Sequence, residues 1–329
     1  MKPRIALIST GGTIAGTAAS ATELRAYVAA RLAADELAQA VPQLSELAEI
    51  VPESLFELDS KDMRPEHWLA LLHRLQAVLA DPAVDGVVVT HGTDTLEETA
   101  YFLQTTLTTT KPVVLTAAMR PASALSADGP MNLWQAVALA CRRAAARAGV
   151  LVVLGDRIHS ASTLTKRHPC AVDAFSSPQA LTMQASDAAL HALAPKRSSR
   201  VTLPSGLVVL PPVELLTVAA GSSPALAAAT VRALERASLL SGGAGLVLAL
   251  PGNASLPQRW AAALDELPAS IPVVFASRCG AGVDFAARAQ PSNWLACGAL
   301  DALKARVRLI AGLAGGRRGV QLKRWFERC

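Results

Sequence analysis

Short β-branched runs alternate along the chain with longer stretches in which leucine and alanine recur at helical spacing. Ile5 to Thr10 reads as a strand, Glu23 to Ala40 as a loop passing into a helix, and Ser54 to Leu58 as a strand. Arg64 to Ala80 has helical periodicity, with Pro65 acceptable in the first turn. Gly86 to Thr90 predicts a buried strand, Leu96 to Leu107 a helix, Pro112 to Thr116 a strand, Met131 to Ala148 a helix and Gly149 to Leu154 a strand. Strands that alternate with helices of this length predict a parallel sheet covered on both faces.

The pattern changes between about Leu193 and Pro212, where Pro195, Pro204, Pro211 and Pro212 accompany Ser205-Gly206. This reads as an inter-domain connection with a hairpin near Ser205-Gly206. Alternation then resumes on a smaller scale. Strands are expected at Val213 to Ala219, Gly245 to Leu250 and Ile271 to Ala276. Helices are expected at Pro224 to Leu240, Pro257 to Leu267 and Asp301 to Leu313. The expected architecture is α/β. A larger N-terminal domain (1–195) has a mostly parallel, doubly wound sheet, a linker spans 196–212, and a smaller C-terminal α/β domain covers 213–329.

Composition narrows the class. The chain has 329 residues, 51% hydrophobic, enough for a large core. A net charge of +5 is spread over short pairs such as Arg142-Arg143 and Lys323-Arg324, without interleaved aromatics, so no nucleic-acid partner is expected. Five cysteines, an odd number without C-x-x-C spacing, argue against a disulfide framework or a structural zinc site and for a reducing cytoplasm. The apolar run Ile5 to Ile8 is too short for a signal peptide, and no segment reaches membrane-spanning length.

In open parallel sheets ligands bind beyond the carboxyl ends of the strands. Three polar turns fall there. The first, Ser9 to Gly16, has adjacent glycines Gly11 and Gly12 that permit a tight turn, and then Thr13. Its Gly-Gly-x-x-x-Gly spacing is not the dinucleotide fingerprint. The second is Thr90-His91-Gly92-Thr93-Asp94-Thr95, ahead of a helix with a capping-box pattern, Thr95-x-x-Glu98. A helix N-terminus there favours negative charge, an oxyanion or a substrate carboxylate. The third, Ala117 to Pro121, says nothing alone. By itself the first turn is as readily a strand-ending turn as a site, whereas the dense polar cluster after a fully apolar strand tips the second toward a site rather than a mere cap. Threonine is a weak nucleophile and needs a base. His91 and His159 sit in no familiar constellation; a lysine enclosed in a site can act as base, but from spacing alone Lys166 is one surface lysine among several.

With these segments in hand, the sequence resembles the bacterial L-asparaginases, including the glutaminase-asparaginases. Gly11 to Gly16 and His91 to Thr95 match that family's two signatures, and Ala118-Met119-Arg120-Pro121 and Ser126 to Pro130 match further stretches. The resemblance covers nearly the whole chain and weakens after about Ser176. It implies Thr13 as nucleophile, supported by Tyr27 (with one inserted residue after Thr22), and a second triad of Thr93, Asp94 and Lys166. It implies that Ser60 and Asp94 hold the substrate's α-carboxylate and α-ammonium, and that Ala118 lends its carbonyl to the departing amide. Gly12 and Gly92 would line the substrate. The implied reaction hydrolyses the side-chain amide of L-asparagine through a threonine ester, without metal or organic cofactor. The implied assembly is a homo-oligomer, a dimer or a tetramer of close dimers.

Three positions depart from the familiar pattern. Lys61 stands where the periplasmic enzymes have a glutamine that binds the substrate ammonium. Unit charges about 4 Å apart repel by about 4 kcal/mol at an effective dielectric near 20, so Lys61 must turn away, pair with a carboxylate, or weaken binding. The loop Cys279 to Ala289 lacks the expected glutamate and has only Asp284 as an acid. Ser255 replaces an asparagine that crosses between subunits. These departures keep two alternatives open: an amidohydrolase of another amide (glutamine, D-asparagine or a blocked asparagine), and a non-catalytic amino-acid binder.

Overall fold

The computed structural model describes residues 1–195, 200–280, 282–283 and 293–328. The chain forms two compact units, Met1–Pro195 and Lys196–Cys329.

The first unit begins with β1 (Arg4–Gly11), a small hairpin of β2 (Thr17–Ala18) and β3 (Tyr27–Val28), helices α1 (Ala34–Gln39) and α2 (Leu44–Leu47), and β4 (Glu49–Leu58). It continues through α3 (Pro65–Ala80), β5 (Gly86–Thr90), α4 (Leu96–Thr106), β6 (Val113–Thr116), α5 (Gly129–Ala140) and β7 (Val150–Leu154). The short pieces β8 (Arg157–Ser160), β9 (Thr165–Lys166), β10 (Phe175–Ser176), β11 (Leu181–Thr182) and α6 (Asp187–Ala192) follow.

Seven strands form one sheet in the order β11-β8-β7-β6-β5-β1-β4. β4, β1, β5, β6 and β7 are parallel, whereas β8 and β11 add antiparallel at one edge. Central strands β5, β6 and β7 are buried at every position, as expected of a sheet covered on both faces. On one face Ile5, Leu7, Val88, Val114 and Leu151 join Leu37 of α1 and Leu133, Val137 and Ala140 of α5 in a continuous core. α3 packs on β5, and α4 on β7. The doubly wound, mostly parallel α/β architecture read from the sequence is the one observed.

Three local expectations change. The strand expected at Ser54 to Leu58 starts earlier, at Glu49, because its whole length pairs with β1. The helix expected from Met131 to Ala148 ends at Ala140 and is followed by a 3₁₀ segment, Arg143–Ala148. Arg142 leaves helical geometry, and its guanidinium donates to the Ala185 carbonyl (2.8 Å) and to Asp187 (2.6 Å). Thr95 is the residue before α4, but its side chain makes no cap bond to the helix: its hydroxyl donates to the Ser60 carbonyl at 2.9 Å.

The second unit has β12 (Val213–Thr217), α7 (Ala225–Ser241), β13 (Gly245–Leu250), α8 (Gln258–Asp265), β14 (Val273–Ser277), β15 (Trp294–Ala296), α9 (Ala302–Ala314) and α10 (Gly319–Phe326). Among the described residues its four strands are parallel, in sequence order. Residues 200–212 belong to this unit, with Val201 and Leu210 buried in it. Ser205-Gly206 forms a turn, but no hairpin strands flank it among the described residues.

Candidate active site

The strand order places the site. From β1 the chain runs to one neighbour, β4, and then crosses to the other, β5, before continuing to β6 and β7. The carboxyl ends of β1 and β5 therefore border the point where the sheet's winding reverses, the place where open α/β sheets leave a crevice for ligands. The turn bearing Thr13 follows β1, and the turn bearing Thr93 follows β5.

Glycines let the two turns meet. Gly11 and Gly12 adopt φ of 92° and 82°, a region that penalises other L-residues. A β-carbon on Gly12 would fall onto the Gly92 backbone, 2.9 Å from the His91 carbonyl carbon. One on Gly92 would lie 2.6 Å from Ser60 Cβ. The end of β4 closes the arrangement, because Gly12 N–H donates to the Leu58 carbonyl at 2.8 Å. Ser60 is 3% exposed and its hydroxyl accepts the Asp94 N–H at 3.1 Å.

Two hydroxyl systems result. Thr13 opens a 3₁₀ turn, Thr13–Ala15, and is buried. Its Oγ1 is hydrogen-bonded to Tyr27 Oη at 2.6 Å. The hairpin of β2 and β3 delivers Tyr27, and Gly16 leaves room for its ring. On the other turn, Lys166 Nζ donates to Thr93 Oγ1 (3.0 Å) and to Asp94 Oδ1 (2.7 Å). Lys166 is held in β9, paired with Phe175 of β10, and its backbone N–H points to Glu97 Oε1 at 3.4 Å. Thr93 is buried, whereas the Asp94 side chain is 56% exposed.

His91 is fully buried, and burial pulls its pKa down to about 4. Its Nδ1 lies 2.7 Å from the Gly92 carbonyl, so the neutral ring donates there and holds the turn. His159 is likewise lowered to about 4, by burial first and Arg157 second. Its Nδ1 pairs with Ser177 Oγ at 2.8 Å. Neither imidazole contacts Thr13 or Thr93 among these bonds.

Lys61 turns to carboxylates. Its ammonium is hydrogen-bonded to Asp59 and lies 3.7 Å from Asp62. Ala118 is buried at the end of β6. Ser255 belongs to the second unit, exposed in the turn after β13, with its N–H bonded to the Pro251 carbonyl at 2.8 Å. Asp284, most of the loop Cys279 to Ala289 that surrounds it, and Lys196 to Ser199 lie outside the described residues.

Sequence reasoning assigned no role to Asp128 and Asn132, which build the turn around Ala118. Asp128 accepts the N–H groups of Met119 (2.9 Å) and Arg120 (3.0 Å). Asn132, 3% exposed, donates to the Ala117 carbonyl at 2.9 Å and accepts from Gly155 N–H at 3.1 Å. The signal available was an amide in the first turn of a mostly apolar helix, a position that favours bonding to nearby backbone.

Comparison with known proteins shows the family. The family model described as asparaginase, N-terminal, matches residues 4–196. L-asparaginase 2 of Bacillus subtilis is 36% identical over 321 residues, covering 94% of this chain and 82% of that protein. Glutaminase-asparaginase of Pseudomonas aeruginosa is 34% identical over 331 residues, covering 98% and 89% respectively. The crystal structure of a probable cytoplasmic L-asparaginase from Campylobacter jejuni matches with a TM-score of 0.87 at 35% identity, covering 100% of both chains.

Proposed function

The chain belongs to the asparaginase family, and from that premise we propose that it hydrolyses the side-chain amide of L-asparagine to L-aspartate and ammonia. The observation behind the mechanism is the pair of threonine hydroxyls on two apposed turns, one bonded to a phenol and the other to a lysine. A protein that only binds an amino acid needs no paired nucleophile and base.

In this reading Thr13 Oγ1 attacks the side-chain carbonyl, and Tyr27 Oη takes the hydroxyl proton and passes it to the departing nitrogen. The carbon–nitrogen bond breaks and ammonia leaves, with the Ala118 carbonyl oriented toward it. Thr13 is left as a β-aspartyl ester. Water attacks that ester from the side of Thr93, its proton relayed through Thr93, Lys166 and Asp94, and Thr13 is regenerated. Backbone N–H groups of the glycine turns stabilise the oxyanion, commonly the largest catalytic contribution. Ser60 and Asp94 hold the α-carboxylate and α-ammonium of the substrate.

The working unit we propose is a homo-oligomer, a dimer or a tetramer of close dimers, acting in the cytoplasm. The cytoplasmic reading rests on the name of the Campylobacter jejuni relative. Among the described residues no helix is long and apolar enough to cross a membrane. Lys61 motivates a second reading, preference for another amide such as glutamine, D-asparagine or a blocked asparagine.

Ammonia release from a panel of these amides tests both readings. L-asparagine is expected to have the highest kcat/KM. Thr13→Ala, Thr93→Ala and Lys166→Met are each expected to lose at least about 100-fold in kcat with melting temperature preserved. Full activity in both threonine variants would remove the mechanism.

A further inference from the structure

Lys61 projects from the turn that fastens the site together. Its neighbour Ser60 is bonded to Asp94 N–H and, through its carbonyl, to Thr95 Oγ1, so the Lys61 backbone is fixed beside Asp94. Asp94 already shares its carboxylate with Lys166. A free Lys61 ammonium here would leave two cations facing one carboxylate in the place proposed for a cationic substrate group.

The turn contains its own answer. Asp59 precedes the 3₁₀ segment Ser60–Asp62 and accepts the Lys61 backbone N–H at 3.4 Å. The same carboxylate takes the Lys61 ammonium, and Asp62 flanks it at 3.7 Å. The Lys61 side chain is 62% exposed, so solvent alone would let it sample many directions, and the bond to Asp59 favours one of them. With both acids, the turn presents one net negative charge instead of a positive one.

We propose that Asp59 is a specificity-determining positioning residue: it clamps the Lys61 ammonium away from Asp94, so the site accepts substrates with a free α-amino group. This rests on the reading that Ser60 and Asp94 hold the head group of asparagine. It also explains how a lysine can stand beside an ammonium pocket without disabling it.

The test compares Asp59→Asn, Lys61→Gln and the double variant by ammonia release from L-asparagine. Asparagine keeps the N-cap bond while removing the charge, so the turn is retained. Asp59→Asn is expected to raise KM about tenfold with kcat within about twofold, the scale of a partly screened charge repulsion. The double variant is expected to return KM to that of Lys61→Gln, and Asp62→Asn to give a smaller rise in the same direction. Competitive inhibition supplies the readout that damage to the turn would not mimic. Asp59→Asn should weaken L-aspartate but not succinate, which lacks only the α-ammonium.

Unchanged KM in Asp59→Asn, no rescue by Lys61→Gln, or equal weakening of aspartate and succinate would each overturn the proposal. Those outcomes leave the assignment of asparagine hydrolysis intact if the unaltered enzyme releases ammonia from asparagine. No release from that enzyme would overturn both.

Discussion

Gly92→Ala is the smallest change expected to separate the two threonine-bearing turns. The added β-carbon would lie 2.6 Å from Ser60 Cβ and 3.2 Å from Gly12 Cα. Ser60 cannot yield freely, since its hydroxyl and its carbonyl both hold the turn after β5. Gly12 cannot yield either, because its N–H is bonded to Leu58. One of the turns must therefore shift by several tenths of an ångström. Overpacking of this kind costs about 1–3 kcal/mol. A displacement approaching about 1 Å between reacting groups costs about 100-fold in rate. Urea unfolding and ammonia release from asparagine read the two effects. The second substitution Ser60→Gly removes the colliding atoms, so stability losses of the two changes should be non-additive by about 1 kcal/mol or more. Wild-type turnover in Gly92→Ala, or additive losses, would refute the claim that close backbone approach aligns Thr13 with Thr93.

Tyr27→Phe removes the 2.6 Å partner of Thr13 and should lower kcat about 100-fold with little change in melting temperature, Tyr27 being only partly buried; a kcat within about threefold of wild type would take Tyr27 out of the chemistry. The buried histidines make stability pH-dependent with a defined sign. His91 and His159 titrate near 4 when folded, below the ordinary 6.5, so their contribution is fully present above about pH 6.5 and is lost as pH falls toward 4. Each contributes a slope of up to about 1.4 kcal/mol per pH unit in that window. Urea midpoints measured across it should fall, and His159→Gln should flatten the decline; an unchanged slope would contradict a neutral buried His159.

The parallel core was legible because its strands are short, continuously apolar and separated by helices of crossover length. Gly86 to Thr90 is the clearest case, buried at all its positions. The turns after β1 and β5 were legible too, since dense polar residues directly after such strands have few structural uses. The antiparallel edge was not. β8 and β11 have four and two residues, too short for periodicity to register. The end of α5 was missed because Arg142 is drawn off by Asp187, a partner 45 residues away.

The alternation of strands with helices and the positions of the two threonine-bearing turns were thus legible in the sequence alone, through local periodicity and local turn chemistry, whereas the spatial order of the strands was not. What joins them was decided by tertiary structure. Tyr27 reaches Thr13 only through the β2–β3 hairpin, and Lys166 reaches Thr93 across 73 residues. Burial patterns are written in short-range spacing, but charge pairing and hydroxyl activation depend on distances of about 3 Å that exist only once the sheet has brought distant turns together.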